Sequence, residues 1–169
     1  LLTRFLTAAR RKTAWFSMPD GLRPAGSSAQ NAGPLPYPCA AMAEPCPCGK
    51  PAAYPDCCGR YLDGGAPAPD AEALMRSRYT AFTRGREAYL LATWHPDFRP
   101  AGLALDEGPP TKWLGLQVRR HEQGDENHAI VEFVARYKVG GRAHRLHETS
   151  RFVRVDGRWF YTDGDIHAG

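Results

Sequence analysis

Long apolar runs are missing from this 169-residue chain, and outside one short stretch it has a single thiol, Cys39. No segment approaches the ~20 apolar residues that cross a bilayer, and the beginning lacks the uninterrupted apolar stretch of a secretory leader. The expectation is a soluble, cytosolic protein that makes no membrane contact. Surplus charge is also absent where a globular surface would carry it. The formal net charge is +4, but it sits in residues 1 to 41, where Arg4, Arg10, Arg11, Lys12 and Arg23 face Asp20 alone. Of the 22 basic and 18 acidic side chains, 17 of each fall in residues 42 to 169. A nucleic-acid-binding domain displaces counterions with a basic surface of its own. A neutral domain therefore argues against nucleic-acid binding, except indirectly through the ribosome. The length allows one hydrophobic core and a small appendage.

The first forty residues differ from the rest. "LLTRFLTAARRKTAWFS" is Arg-rich and acid-poor and suits a short amphipathic helix, and "GLRPAGSSAQNAGPLPYPCAA" lacks periodicity and reads as disordered. The start resembles a mitochondrial presequence superficially. The simpler reading is a disordered extension over 1–41, upstream of a natural start at Met42, with Cys39 a bystander inside it.

Beyond the extension the periodicities are clear. Asp70 is a good N-cap for "AEALMRSRYTAFTRG", a helix closed by Gly85, with Leu74, Met75, Arg78, Tyr79 and Phe82 on one face. "REAYLLATWHP" gives a second short helix stopped at Pro96. Residues 97 to 110 read as a loop with a helical turn. From Thr111 the period falls to two: "KWLGLQVRRHE", "NHAIVEFVARYKV", "RAHRLHETSRFVRV" and "GRWFYTDG" are divided by "QGDE", "GG" and "DG", as in an antiparallel meander. In the second of these, Ala129, Val131, Phe133, Ala135, Tyr137 and Val139 share a face that only the helices can cover. The fold class is α+β: N-terminal helices packed on one face of a curved antiparallel sheet.

The remaining cysteines crowd into "EPCPCGKPAAYPDCCGRY". Cys46 and Cys48 form one close pair and Cys57 and Cys58 another, and the Gly and Pro residues between them suit a chain that folds back. Four soft ligands in two pairs fit a structural Zn2+ site, and with all four positions taken by thiolates no place is left for a reactive water. Adjacent cysteines point apart in an extended chain, so joint ligation requires a turned backbone at Cys57 and Cys58. So few apolar residues fold only with metal, whose binding is worth on the order of 10 kcal/mol in zinc peptides. An iron–sulfur cluster and a redox pair are the alternatives.

The cysteine spacing, with Gly49 and Tyr54, resembles the SEC-C zinc motif of the SecA translocation motor, where it contacts a chaperone and the ribosome. Here Gly49-Lys50-Pro51 replaces the usual Gly-Ser-Gly. "PDAEALMRSRYTAF", "YLLATWHP", "WLGL", "VEFVARY", "SRF" and "GRWFYTDG" extend the resemblance to the bacterial YchJ family, a SEC-C motif followed by a nuclear-transport-factor-2-like (cystatin-like) cone, over about Met42 to Asp165. The resemblance implies a zinc knuckle over 42–64, a cone domain over 65–169, and metal ligation by the four cysteines. It implies no established reaction.

Within the cone, Leu146, Glu148, Ser150 and Phe152 alternate with Arg145, His147, Thr149 and Arg151, which turns a carboxylate and a hydroxyl inward. A buried carboxylate needs a partner. Arg78 on the apolar helix face supplies one, so an Arg78–Glu148 pair is expected, supported by Ser150 or Tyr79. Tyr79, His95, Trp113 and Trp159 complete the candidate pocket, and the aromatics Trp94, Trp113, Trp159 and Tyr161 read first as filling of the sheet. His95 is a candidate base or a structural histidine, and Asp163 and Asp165 read as turn residues. Two functions follow. One is a cytosolic zinc-bearing accessory protein that docks on a protein partner (chaperone, translocation machinery or ribosome). The other is a small-molecule-binding or isomerase/dehydratase-like cone. A homodimer through the sheet is a third, structural expectation.

Overall fold

A computed structural model describes residues 44–105 and 107–168. The expected amphipathic helix, the disordered extension, the start at Met42 and Cys39 lie outside the described residues.

Among the described residues three helices precede four strands: α1 (Gly59–Leu62), α2 (Ala71–Thr83), α3 (Glu87–Ala92), β1 (Thr111–Gln123), β2 (His128–Val139), β3 (Arg142–Val155) and β4 (Arg158–Ile166). The local chemistry sets these limits. The Asp70 carboxylate accepts the Ala73 N–H at 2.7 Å, capping α2 at its first turn. Gly85, at φ +62°, turns the chain after α2. Between Val139 and Arg142 the paired glycines 140 and 141 both take positive φ, and between Val155 and Arg158 so do Asp156 and Gly157. Such two-residue turns match the right-handed twist of the strands they join, which gives the sequential antiparallel order β1-β2-β3-β4. Register shifts at Trp113/Gly115, Val118/Arg120 and Ser150/Phe152 bend the sheet.

The concave face of the sheet takes the helices. Ala129, Val131, Phe133 and Ala135 of β2 are buried with Phe152 and Tyr161 against Leu74, Met75 and Tyr79 of α2 and Leu90 of α3. After α3 the chain lies parallel to β4: the Tyr161 N–H donates to Thr93 O at 2.9 Å, and the His95 N–H to Tyr161 O at 2.8 Å. That strap closes the free edge of β4. The loop that follows is pinned by Glu87, whose carboxylate accepts the Leu103 N–H at 2.8 Å and so buries Leu103.

Two features depart from the sequence reading. β4 continues through Asp163 and Asp165 rather than turning there, because both carboxylates pair with Arg151 of neighbouring β3; Arg151 Nη1 donates to Asp165 at 2.5 Å. And α2 is buried on two sides, with Ala73, Ser77, Thr80 and Ala81 as inaccessible as the expected apolar face. The cysteine knuckle meets that second side at Thr80, whose hydroxyl faces Cys46 Sγ, while Ser77 bonds to Tyr89 of α3 and Ala81 joins the core of the cone. The small residues there let the two backbones approach, a signal that the amphipathic pattern alone does not carry.

Candidate functional site

Two sites flank α2. The first is the knuckle. The Cys46 N–H donates to Ala52 O at 3.0 Å and the Tyr54 N–H to Glu44 O at 2.8 Å, which folds residues 44–54 into a tight hairpin. Gly49, at φ +81°, makes the turn after Cys48. The chain then coils: the Cys57 and Gly59 N–H groups both donate to Tyr54 O, at 3.1 and 2.8 Å, and Cys58 is the right-handed helical N-cap of α1. This is the turned backbone that neighbouring ligands require. All four cysteines are buried, and their sulfurs lie within 4.8 Å of one another. Cys48 Sγ and Cys57 Sγ are 3.6 Å apart. Zn–S bonds of ~2.3 Å in a tetrahedron put sulfurs roughly 3.8 Å apart. The donor set therefore fits one metal ion, and a cluster with an iron on each thiolate would spread the sulfurs wider.

The electrostatics of the thiols agree. Hydrogen bonding from Cys58 pulls the Cys48 thiol down to about 5, while burial pushes Cys57 up to about 11 and the hydrogen bond to Cys48, with burial, drives Cys58 upward too. One thiolate is thus solvated by its neighbouring thiols. Further thiolates at such spacing repel unless a cation sits between them.

The knuckle is tied to the cone on several sides. Arg76 of α2 donates from Nη1 to Cys48 O at 3.0 Å and from Nε to Glu72 at 2.6 Å. The Thr80 hydroxyl lies 4.0 Å from Cys46 Sγ. The Arg84 guanidinium stacks 3.6 Å over the Tyr54 ring and donates to Glu44 at 2.6 Å. Tyr54 itself donates to Asp63 at 2.6 Å, and burial with that bond pushes it up to about 12. Arg76 and Thr80 were missed in the sequence; the only signal for them is their four-residue spacing on the polar side of an amphipathic helix.

The second site is a cavity of about 80 Å³ inside the cone. Of the residues expected in a pocket, Arg78, Tyr79, Trp113, Glu148 and Ser150 line it, joined by Trp94, Phe133, Phe152 and Tyr161. His95 and Trp159 do not. The His95 ring packs outside against Phe98 and Phe160, and Trp159 belongs to the core with its indole N–H unpartnered.

The expected Arg78–Glu148 pair is replaced by separate partners. Arg78 Nη1 donates to Leu90 O at 2.7 Å and to the Thr93 hydroxyl at 2.8 Å, and its guanidinium lies 5.1 Å from the Trp94 ring and 4.6 Å from the Tyr161 ring. Leu90 O, near the end of α3, is an acceptor that helical pairing leaves open, so it competes for the guanidinium. Glu148 instead accepts from Ser150 at 2.7 Å and from Tyr161 at 3.3 Å, a partner the sequence reading left among the core aromatics. A Cβ at Gly164 would overlap the Glu148 carboxyl, so glycine there makes room for it.

Burial raises Glu148 above the ordinary carboxyl value of 4.5, against the lowering influence of Ser150, Tyr161 and Arg78 and with Asp165 adding to the rise. Between the ordinary and the raised value the folded chain keeps a proton that the unfolded chain has released, so raising the pH through that window favours unfolding. Glu148→Gln removes this titration. The variant's unfolding free energy should therefore gain on that of the wild type as pH climbs from the ordinary carboxyl value, then level off. Urea melts of the two metal-loaded proteins across this range test it; curves that stay parallel would show that burial does not hold the proton on Glu148.

Comparison with known proteins follows the same two parts. Residues 70–164 match the model of the "YchJ, middle NTF2-like domain". The chain is 59% identical to a UPF0225 protein of Bordetella pertussis over 123 residues, 72% of this chain and 92% of that one. It is 61% identical to a UPF0225 protein of Methylibium petroleiphilum, over 72% of this chain and 88% of the relative. A SEC-C motif containing protein from Rhodopseudomonas palustris has a similar solution structure, with TM-score 0.62 and 30% identity over 74% of this chain and 100% of that one. One from Psychrobacter arcticus is similar at TM-score 0.61 and 30% identity, over 75% and 84%. Among the described residues no helix is long and apolar enough to cross a membrane.

Proposed function

The chain belongs to the YchJ family, and on that premise we propose that it is a zinc-bearing accessory protein of the cytoplasm that docks on a protein partner or the ribosome through its knuckle. The observation that carries this reading is the closed set of four buried thiols at single-ion spacing. Bound there, Zn2+ supplies folding free energy and charge neutralisation, and with its four positions filled by Cys46, Cys48, Cys57 and Cys58 it offers no site for hydrolysis. The knuckle then serves as a rigid mount. Its outward loop, Gly49-Lys50-Pro51-Ala52, consists of four consecutive exposed residues between the two ligand pairs.

Lys50→Glu should leave metal content and melting unchanged, because the side chain is exposed, yet weaken co-sedimentation with ribosomes or capture by a purified SecB-type chaperone by about ten-fold or more. Wild-type binding by this variant to whichever partner is captured would rule out docking through the loop. Sedimentation velocity on the same samples reads the homodimer, for which the outer sheet face around Glu132, His147 and Arg151 is available.

A second reading, small-molecule binding in the cone, is favoured by a specific observation: the cavity carries a buried guanidinium, a buried carboxyl and a buried hydroxyl at Arg78, Glu148 and Ser150.

A further inference from the structure

Arg78 is the single buried cation among the described lysines and arginines, at 6% exposure. Buried guanidinium groups are ordinarily paired with a carboxylate, yet Arg78 forms no ion pair within 4.0 Å among the described residues. Only Nη1 is engaged, by Leu90 O and the Thr93 hydroxyl. Nε and Nη2 have no hydrogen-bond acceptor among the described residues, although the group lines the cavity. The one carboxyl nearby, Glu148, accepts from both Ser150 and Tyr161 on a single oxygen, Oε1, and makes no ion pair with Arg78. The rest of the wall is apolar, with Tyr79, Trp113, Phe133 and Leu146 prominent.

We propose that the cavity is a binding site for a small aliphatic monocarboxylate, its carboxylate on the open edge of Arg78 and its short apolar tail among Tyr79, Trp113, Phe133 and Leu146. The inference rests on the second reading above and names its ligand class. A fixed planar fork is the protein group best matched to a carboxylate. The apolar wall disfavours inorganic phosphate, which would have to shed its hydration without replacement donors. Size sets the rest: at about 80 Å³ the cavity is near half the ~150 Å³ of an engineered cavity that admits benzene, which limits the ligand to a few heavy atoms.

The test uses the full metal-loaded chain and two probes of equal shape, propionate and propionamide, titrated at constant ionic strength while the indole N–H signals of Trp94 and Trp113 are followed by NMR. Saturable shifts at least about ten-fold tighter for propionate are expected, lost in Arg78→Met and in Leu146→Phe, which fills the space from a half-buried position. Equal binding of acid and amide would overturn the carboxylate assignment and leave a pocket for neutral molecules. No saturable shift with either probe would overturn the pocket as well. Equal competition by inorganic phosphate, or propionate binding undiminished by Leu146→Phe, would place the anion site elsewhere and reject the proposal. If Arg78→Met fails to fold, the acid–amide comparison on the wild type decides alone.

Discussion

Cys48→Ser should yield protein with no bound zinc and a melting temperature lowered by tens of degrees, where the wild type carries one ion per chain. Metal binding in small zinc modules is worth on the order of 10 kcal/mol, and each kcal/mol moves the melting point of a domain this size by roughly 2–8 °C. The loss will not stay in the knuckle. Arg76 gives a hydrogen bond to Cys48 O and Thr80 lies against Cys46 Sγ, so a melted knuckle exposes that flank of α2 to water. A strong chelator applied to the wild type should reproduce the effect, and zinc should reverse it. Metal analysis by mass spectrometry beside calorimetry is the measurement. A metal-free preparation that melts at the same temperature as the loaded one would refute a structural ion.

Arg78→Ala is expected to cost about 2–5 kcal/mol, the range for emptying a buried site of this size. Arg78→Met should cost less than about 1.5 kcal/mol. The contrast comes from two opposed contributions. Burial pulls the guanidinium down to about 10 from 12.5, so keeping it charged costs roughly 3 kcal/mol. Two charge-assisted bonds and two aromatic faces return about the same amount. Methionine forgoes both sides while filling the volume between Trp94 and Tyr161; alanine forgoes both and leaves a void. Denaturant melts of the two variants measure the difference. If methionine proves as damaging as alanine, the charge itself holds the cone together.

Much of this fold is legible in the sequence where chemistry is local. The Asp70 cap, the positive-φ pairs Gly140-Gly141 and Asp156-Gly157, and the period-two faces of β2 and β3 each need only neighbouring residues, and the four-strand meander follows from them. The four thiols are legible for the same reason, since their spacing nearly encodes their convergence. The inward Glu148 and Ser150 come from alternation along β3. What distance conceals is partner choice. Arg78 and Glu148 do share a cavity, but which acceptor meets which donor depends on how α2 lies over the sheet and on where α3 ends, and Leu90 O takes the guanidinium instead. Likewise His95 and Trp159 share an aromatic neighbourhood with the pocket residues in sequence, while the strap along β4 turns His95 outward. Asp163 and Asp165 look like a turn until Arg151 of the adjacent strand is seen to need them.

The helix from Ala71 to Thr83 is a party wall. Arg76 and Thr80 look into one room, and Met75, Arg78 and Tyr79, one turn or less away, look into the other. However the chain is parsed on paper, neither tenant can be evicted without exposing the other's masonry, so the knuckle and the cone must be inherited, expressed and engineered together.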